Sequence, residues 1–142
     1  MSDPIYHVFA DGPTMVAPYS HAVETGEWLF VTGQMPIDAD GSVPVTIEAQ
    51  TESVFRNLRA VVARAGFADG HIVSARVYLT QFAEHYERMN AVYARQFPDG
   101  RYPARTCVGV TALARGCGVE IDLVVRRRAG SGPVQARPPQ PG

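Results

Sequence analysis

Hydrophobic and polar positions along the chain change period several times. In "GEWLFVTGQMPID" aromatic and β-branched residues run together and stop at a glycine and a proline, which predicts a strand across Trp28 to Thr32. The stretch "VPVTIEAQTESVFRNLRAVVARAG" then repeats apolar or small residues at helical spacing through Ile47, Thr51, Val54, Leu58, Val61, Val62 and Ala65, with Thr46 as a cap and Gly66 as a stop. "HIVSARVYLT" returns to alternation, with Val73, Ala75, Val77 and Leu79 facing one way and Ser74, Arg76 and Tyr78 the other. Phe82, Tyr86, Met89, Tyr93 and Phe97 restore the helical period before a Pro-Asp-Gly turn. Two strands follow, Arg105 to Thr111 and Val119 to Arg126. The order of strands, helix, strand, helix, strand, strand implies an α+β layer design, with two helices packed on one face of a mixed sheet.

The length of 142 residues suits one domain, drawn here over residues 1–128. Residues 129–142, "AGSGPVQARPPQPG", offer nothing to bury and are expected to form a disordered tail. A formal net charge of −1 gives no support for nucleic acid or an anionic membrane as partner and favours a small ligand. The N-terminal "MSDPIYHVFADG" lacks a basic region followed by an apolar stretch, so the chain is expected to be cytoplasmic. Arg126 to Arg128 at a strand end read as solvated charges.

Residue types narrow the chemistry further. There is no lysine, which removes Schiff-base catalysis, lysine-held pyridoxal phosphate and a phosphate-loop lysine together. His7, His21, His71 and His85 lack ligand spacing and no Cys-x-x-Cys occurs, so no metal site is expected. Cys107 and Cys117 would flank a hairpin and stay reduced.

Within "YPARTCVGV", alternation puts Arg105 on the same face as Cys107, Gly109 and Thr111. A guanidinium there, beside a glycine that leaves room, either clamps a carboxylate or pairs with an acidic side chain on the neighbouring strand. Glu120 and Asp122 share one face of "GVEIDLVV". If the last two strands pair through "ALARGCG", Glu120 comes near the Arg105 and Cys107 face and can hold or deprotonate water; otherwise it lies on a solvated face. Asn90, at the edge of an apolar stripe, suits a ligand, a neighbouring subunit or a structural amide role. Tyr19 reaches a pocket or covers core, and Thr32 with Gly33 offers a hydroxyl and an approachable backbone N–H, or a simple turn. Cys107 has no nearby histidine to activate it and reads as a small buried residue.

Seven segments in this order and spacing, "APYSHA", "LFVTGQMPID", "RAGF", "VYLTQF", "MNAVYARQFP", "YPARTCVGV" and "VEIDLVV", resemble the RidA/YjgF family of reactive-intermediate deaminases over about residues 17–126. The resemblance implies a chorismate-mutase-like fold and a homotrimer with clefts between subunits. It also implies cofactor-independent hydrolysis of enamines and imines such as 2-aminoacrylate and 2-iminobutyrate to 2-keto acids and ammonia. On the matching positions, Arg105 would grip the substrate carboxylate, Glu120 would position water, and the Cys107 backbone would hold that water or the substrate nitrogen. Tyr19, Thr32, Gly33 and Asn90 would complete the pocket, Thr32 standing where many relatives carry serine. The family often has Leu-Pro where this chain has Leu113-Ala114. Relatives recruited to specialised catabolic or biosynthetic pathways, or acting as non-catalytic ligand-binding or chaperone-like trimers, supply the alternative functions.

Overall fold

A computed structural model describes residues 2–130; of the expected tail, residues 131–142 lie outside that range. Six strands form one sheet: β1 (Ile5–His7), β2 (Ala22–Thr25), β3 (Trp28–Gln34), β4 (His71–Leu79), β5 (Ala104–Gly109) and β6 (Val119–Arg126). Their order across the sheet is β1-β2-β3-β6-β4-β5. All neighbours run antiparallel except β4 and β5, which are parallel. Two helices, α1 (Ile47–Arg64) and α2 (Phe82–Arg95), lie on one face, as the α+β reading anticipates.

Burying that face holds the layers together. Leu29 and Val31 of β3, Ala75, Val77 and Leu79 of β4, and Val119, Ile121, Leu123 and Val125 of β6 meet Val54, Phe55, Leu58 and Val61 of α1 and Met89 and Tyr93 of α2. The strict alternation of β6 places its apolar residues against the helices and Glu120, Asp122 and Val124 on the opposite face.

The expected pairing of the last two strands is not found. β6 inserts between β3 and β4, while β5 lies outside β4 as an edge strand. The reason is connectivity: α2 carries the chain back along the length of β4, so β5 adds parallel to it, and the connection after β5 then passes the end of β4 so that β6 pairs on its other side. Cys107 and Cys117 therefore do not flank a hairpin, and both are free thiols. A single 3₁₀ turn at Ala114–Gly116 lies in that return, with Arg115 in the left-handed region at φ +61°.

Alternation also fails at the start of β4. A register shift between Ile72 and Ser74 puts Ile72, opposite Val125, against the core, where unbroken alternation would have put Val73.

The ends of α1 follow the sequence signals. Thr46 has extended backbone, and its Oγ1 accepts the Ala49 N–H at 3.1 Å; Gly66 follows the helix at φ +84°. Replacing Thr46 by Ala should cost about 1 kcal/mol of stability in denaturant unfolding. An unchanged midpoint would show that this cap carries no weight in α1.

Candidate active site

Arg105 lies opposite Ala75 in the β4–β5 register, so its side chain leaves the sheet on the helix side and meets α2. Its Nη1 donates to Asn90 Oδ1 at 2.8 Å and its Nη2 to the Tyr86 hydroxyl at 3.3 Å. The guanidinium carbon stands 4.7 Å from the Tyr93 ring centroid and 5.8 Å from that of Tyr86. Among the described residues no carboxylate pairs with Arg105, so the neighbouring-strand ion pair considered from the sequence does not form. Three of its five N–H groups remain for a ligand, enough for a bidentate carboxylate.

Tyr86 and Tyr93 complete this cradle, yet from the sequence they read only as part of the apolar stripe of α2. Their spacing with Asn90, at positions i, i+4 and i+7 of one helix, was the available signal. Tyr93 is 4% exposed, and its hydroxyl is the one buried side-chain polar atom without a hydrogen-bond partner among the described residues. The space above Gly109 is not open: a Cβ there would lie 3.2 Å from Phe82 Cβ, so the glycine admits Phe82 rather than a ligand.

Cys107 follows on the same face as Arg105. Burial pushes its thiol above the ordinary range, and the nearby guanidinium only partly opposes this, so the sulfur is not an activated nucleophile. Its backbone is better placed. The Val110 N–H donates to Leu79 O at 2.8 Å, and in a parallel ladder alternate residues turn both backbone groups the same way. Thr106 and Val108 therefore face β4, whereas Arg105 and Cys107 turn their N–H and C=O groups to the open edge.

Glu120 belongs to a second cluster. It stands opposite Tyr78 on the face away from the helices, not on the Arg105 face as the expected pairing of the last strands would have it. Two inter-strand spacings and three residues separate the positions, about 14 Å between Cα atoms, and the side chains diverge. Next to Glu120, β3 shifts register between Val31 and Gln34, bringing Gly33 against the carboxylate. A Cβ on Gly33 would fall on Glu120 Oε2 and lie 3.1 Å from its Cδ. Thr32 Oγ1 donates to Ser20 O at 2.5 Å, tying the strand to the loop that carries Tyr19, whose hydroxyl accepts the Val16 N–H at 3.1 Å. Burial, and secondarily the charge of Asp122, raises the Glu120 carboxyl above its ordinary range.

The seven residues expected at the site are thus divided by the sheet: Arg105, Asn90 and Cys107 lie together on the helix side, Glu120 and Gly33 meet on the other face, and Thr32 ties its strand to the loop that carries Tyr19. Among the described residues no group of three or more His, Cys, Asp or Glu side chains is arranged to hold a metal ion. No described helix is long and apolar enough to cross a membrane.

The profile of the family described as endoribonuclease L-PSP matches residues 9–127. The chain belongs to the RidA/YjgF family. Protein DfrA of Myxococcus xanthus is 40% identical over 121 residues, covering 79% of this chain and 87% of its own. TdcF of Escherichia coli K12, provisionally described as a reactive intermediate deaminase, is 30% identical and covers 82% of this chain and 92% of its own length. The crystal structure of E. coli TdcF with bound serine superposes with a TM-score of 0.78 at 28% identity, covering 86% of this chain and 98% of that one. That of the E. coli YjgF gene product gives 0.78 at 29% identity, covering 85% and 97%. The RidA/YjgF fold expected from the sequence segments is the one observed.

Two outcomes test this geometry. Because the Glu120 carboxyl is raised, its protonated form is favoured by folding, so its contribution is present below the ordinary value of 4.5 and is lost as pH rises through the folded value. Glu120→Gln should therefore match the parent in Tm near pH 4 and exceed it at pH 7.5; a lower Tm at pH 7.5 would reveal a stabilising partner for the carboxylate. Tyr93→Phe removes an unsatisfied buried hydroxyl while keeping the ring under Arg105, and should leave stability unchanged or raise it by up to about 1 kcal/mol. A clear loss in denaturant unfolding would mean that the hydroxyl is used.

Proposed function

We propose that this RidA/YjgF protein is an imine/enamine deaminase that converts 2-iminobutyrate- and 2-aminoacrylate-type compounds to 2-keto acids and ammonia, at sites shared between adjacent copies of the chain. The observation that carries this reading is Arg105. A half-buried guanidinium held by an amide, a phenol and aromatic rings, with no anion of its own, is suited to a small carboxylate.

The separation of the half-sites supports the shared arrangement. So small a ligand cannot touch Arg105 and Glu120 of one chain, which point to opposite sides of the sheet. A neighbour's open sheet face laid beside the β5 edge would supply the missing carboxylate. That face carries Phe30 at 48% exposure and Val108 at 40%, apolar area that self-association would bury. A closed homotrimer, as the family resemblance implies, satisfies this in each of three identical clefts.

Hydrolysis then needs little machinery. An enamine first becomes the imine, one proton leaving nitrogen as another adds to C3; water then adds to C2 of the C=N bond while one of its protons passes to the nitrogen, giving a carbinolamine; the second proton follows, the C–N bond breaks as the carbonyl forms, and ammonia leaves. Atoms and electrons balance without an oxidant or reductant. Glu120, its carboxyl made more basic by burial, can take and return that proton, and the outward N–H of Cys107 can fix the water or the nitrogen. Asn90 orients Arg105, while Tyr19, Thr32 and Gly33 line the Glu120 half.

RNA cleavage, named in the family's description, has less support. Histidines often serve as its acid–base pair, but His21 is held by Phe9 N and Pro13 O, and His85 lies against Thr80 O. The net charge of −1 does not favour a polyanion.

In an assay coupled to a serine or threonine dehydratase, the parent should speed 2-keto acid release, and Arg105→Ala and Glu120→Gln should each abolish the acceleration. Co-assembling the two inactive variants should restore about a quarter of the parent activity, because one site in four then combines an intact Arg105 with an intact Glu120 from the neighbour. No recovery from a verified mixed assembly rules out the shared site. Binding of 2-keto acids without turnover by the parent identifies a non-catalytic ligand-binding protein instead.

A further inference from the structure

The Arg105–Tyr86 hydrogen bond has a fixed direction. Arginine offers only donors, so the Tyr86 oxygen accepts from Nη2 at 3.3 Å and its own hydrogen is left over. No acceptor for that hydrogen is found among the described residues. The ring itself is not free to turn: it stacks on Phe82 with centroids 4.7 Å apart and planes at 21°, and it packs against the main core. On the far side of the guanidinium Asn90 takes Nη1 through its Oδ1, which leaves the amide N–H₂ of Asn90 similarly unengaged.

We infer that Tyr86 is a ligand-binding residue of this site, donating its phenolic hydrogen to the same carboxylate that Arg105 holds. The inference rests on the carboxylate-anchoring role proposed above for Arg105 and adds a contact to it. A carboxylate accepts up to about four hydrogen bonds. A bidentate guanidinium supplies two, and a hydroxyl fixed beside Nη2 is within reach of the carboxylate oxygen on that side. Tyr86 thereby links the positive group and its anion through one oxygen, accepting from the first and donating to the second. The substrate class this selects is a small 2-imino or 2-keto acid presenting a free carboxylate.

The test uses the intact assembly and 2-ketobutyrate labelled with ¹³C at its carboxylate. Calorimetric titration gives affinity apart from turnover, and the bound ¹³C shift reports the hydrogen bonds on the carboxylate. Tyr86→Phe keeps the stack on Phe82 and should leave Tm unchanged. It should raise Kd about tenfold, equivalent to ~1.4 kcal/mol, raise KM in the coupled assay by a similar factor with little change in kcat, and move the bound ¹³C shift. Equal Kd for variant and parent overturns the inference and leaves the Arg105 anchor standing. A raised Kd with an unmoved shift also overturns it, because Tyr86 then only orients the guanidinium. If the parent itself binds no 2-ketobutyrate, the anchor and the inference fall together.

Discussion

Everything at the candidate site follows from where β4 lies. It separates the strand carrying Arg105 from the strand carrying Glu120, and its register sets both: Ala75 directs Arg105 toward the helices, and Tyr78, an odd number of residues away, directs Glu120 to the other face. A sheet transmits this constraint rigidly, since a one-residue slip of β6 would expose Val119, Ile121 and Leu123 and bury their polar neighbours. The two groups are thus fixed apart by the same packing that holds the fold together. Chemistry requiring both has to draw on more than one copy of the chain.

The environment of Arg105 shows how a positive charge can be kept ready. Seven of the guanidinium groups in the described chain pair with carboxylates, whereas Arg105 has only neutral acceptors and aromatic faces. Hydrogen bonds to Asn90 and Tyr86 restrict its orientation without cancelling its field, and a half-buried location strengthens its attraction for an incoming anion relative to bulk water. An acidic partner in place of Asn90 would have stabilised the resting charge more and left less of it for a ligand. The unsatisfied hydroxyl of Tyr93, beneath the same guanidinium, indicates that this region is not arranged for stability alone.

Much of this was legible in the sequence, and the misses have physical causes. Periodicity located α1, α2, β4 and β6 closely, because each buries one side and its apolar residues recur with the corresponding period. The segments shared with the RidA/YjgF family pointed to residues that the sheet separates, Arg105, Asn90 and Cys107 toward the helices and Glu120 with Gly33 on the other face. What periodicity could not supply was strand order: β5 and β6 are separated by only nine residues, a spacing that suggests adjacency, yet the intervening chain crosses β4. The register shifts at Ile72–Ser74 and Val31–Gln34 were likewise invisible, since a bulge changes which face a residue takes without altering composition. Tyr86 and Tyr93 were hidden by their rings, which satisfy an apolar stripe whether or not the hydroxyls have work to do.

The bulge in β3 and the carboxyl of Glu120 are placed together. At Gly33 the absence of a side chain is what allows the Glu120 carboxylate to keep this position, since a Cβ there would crowd Oε2 and force the carboxylate to shift. An acidic group packed against backbone beside Asp122, with its charge disfavoured by burial, is a poor choice for holding a sheet together. A glutamine would satisfy the same volume without the charge. Under the proposed reaction, the register shift, the glycine and the raised carboxyl together hold a proton acceptor at a defined point on the open face, where a neighbour's Arg105 cradle would meet it. Electrostatics and packing select the same pair of residues, and they do so from opposite sides of one sheet.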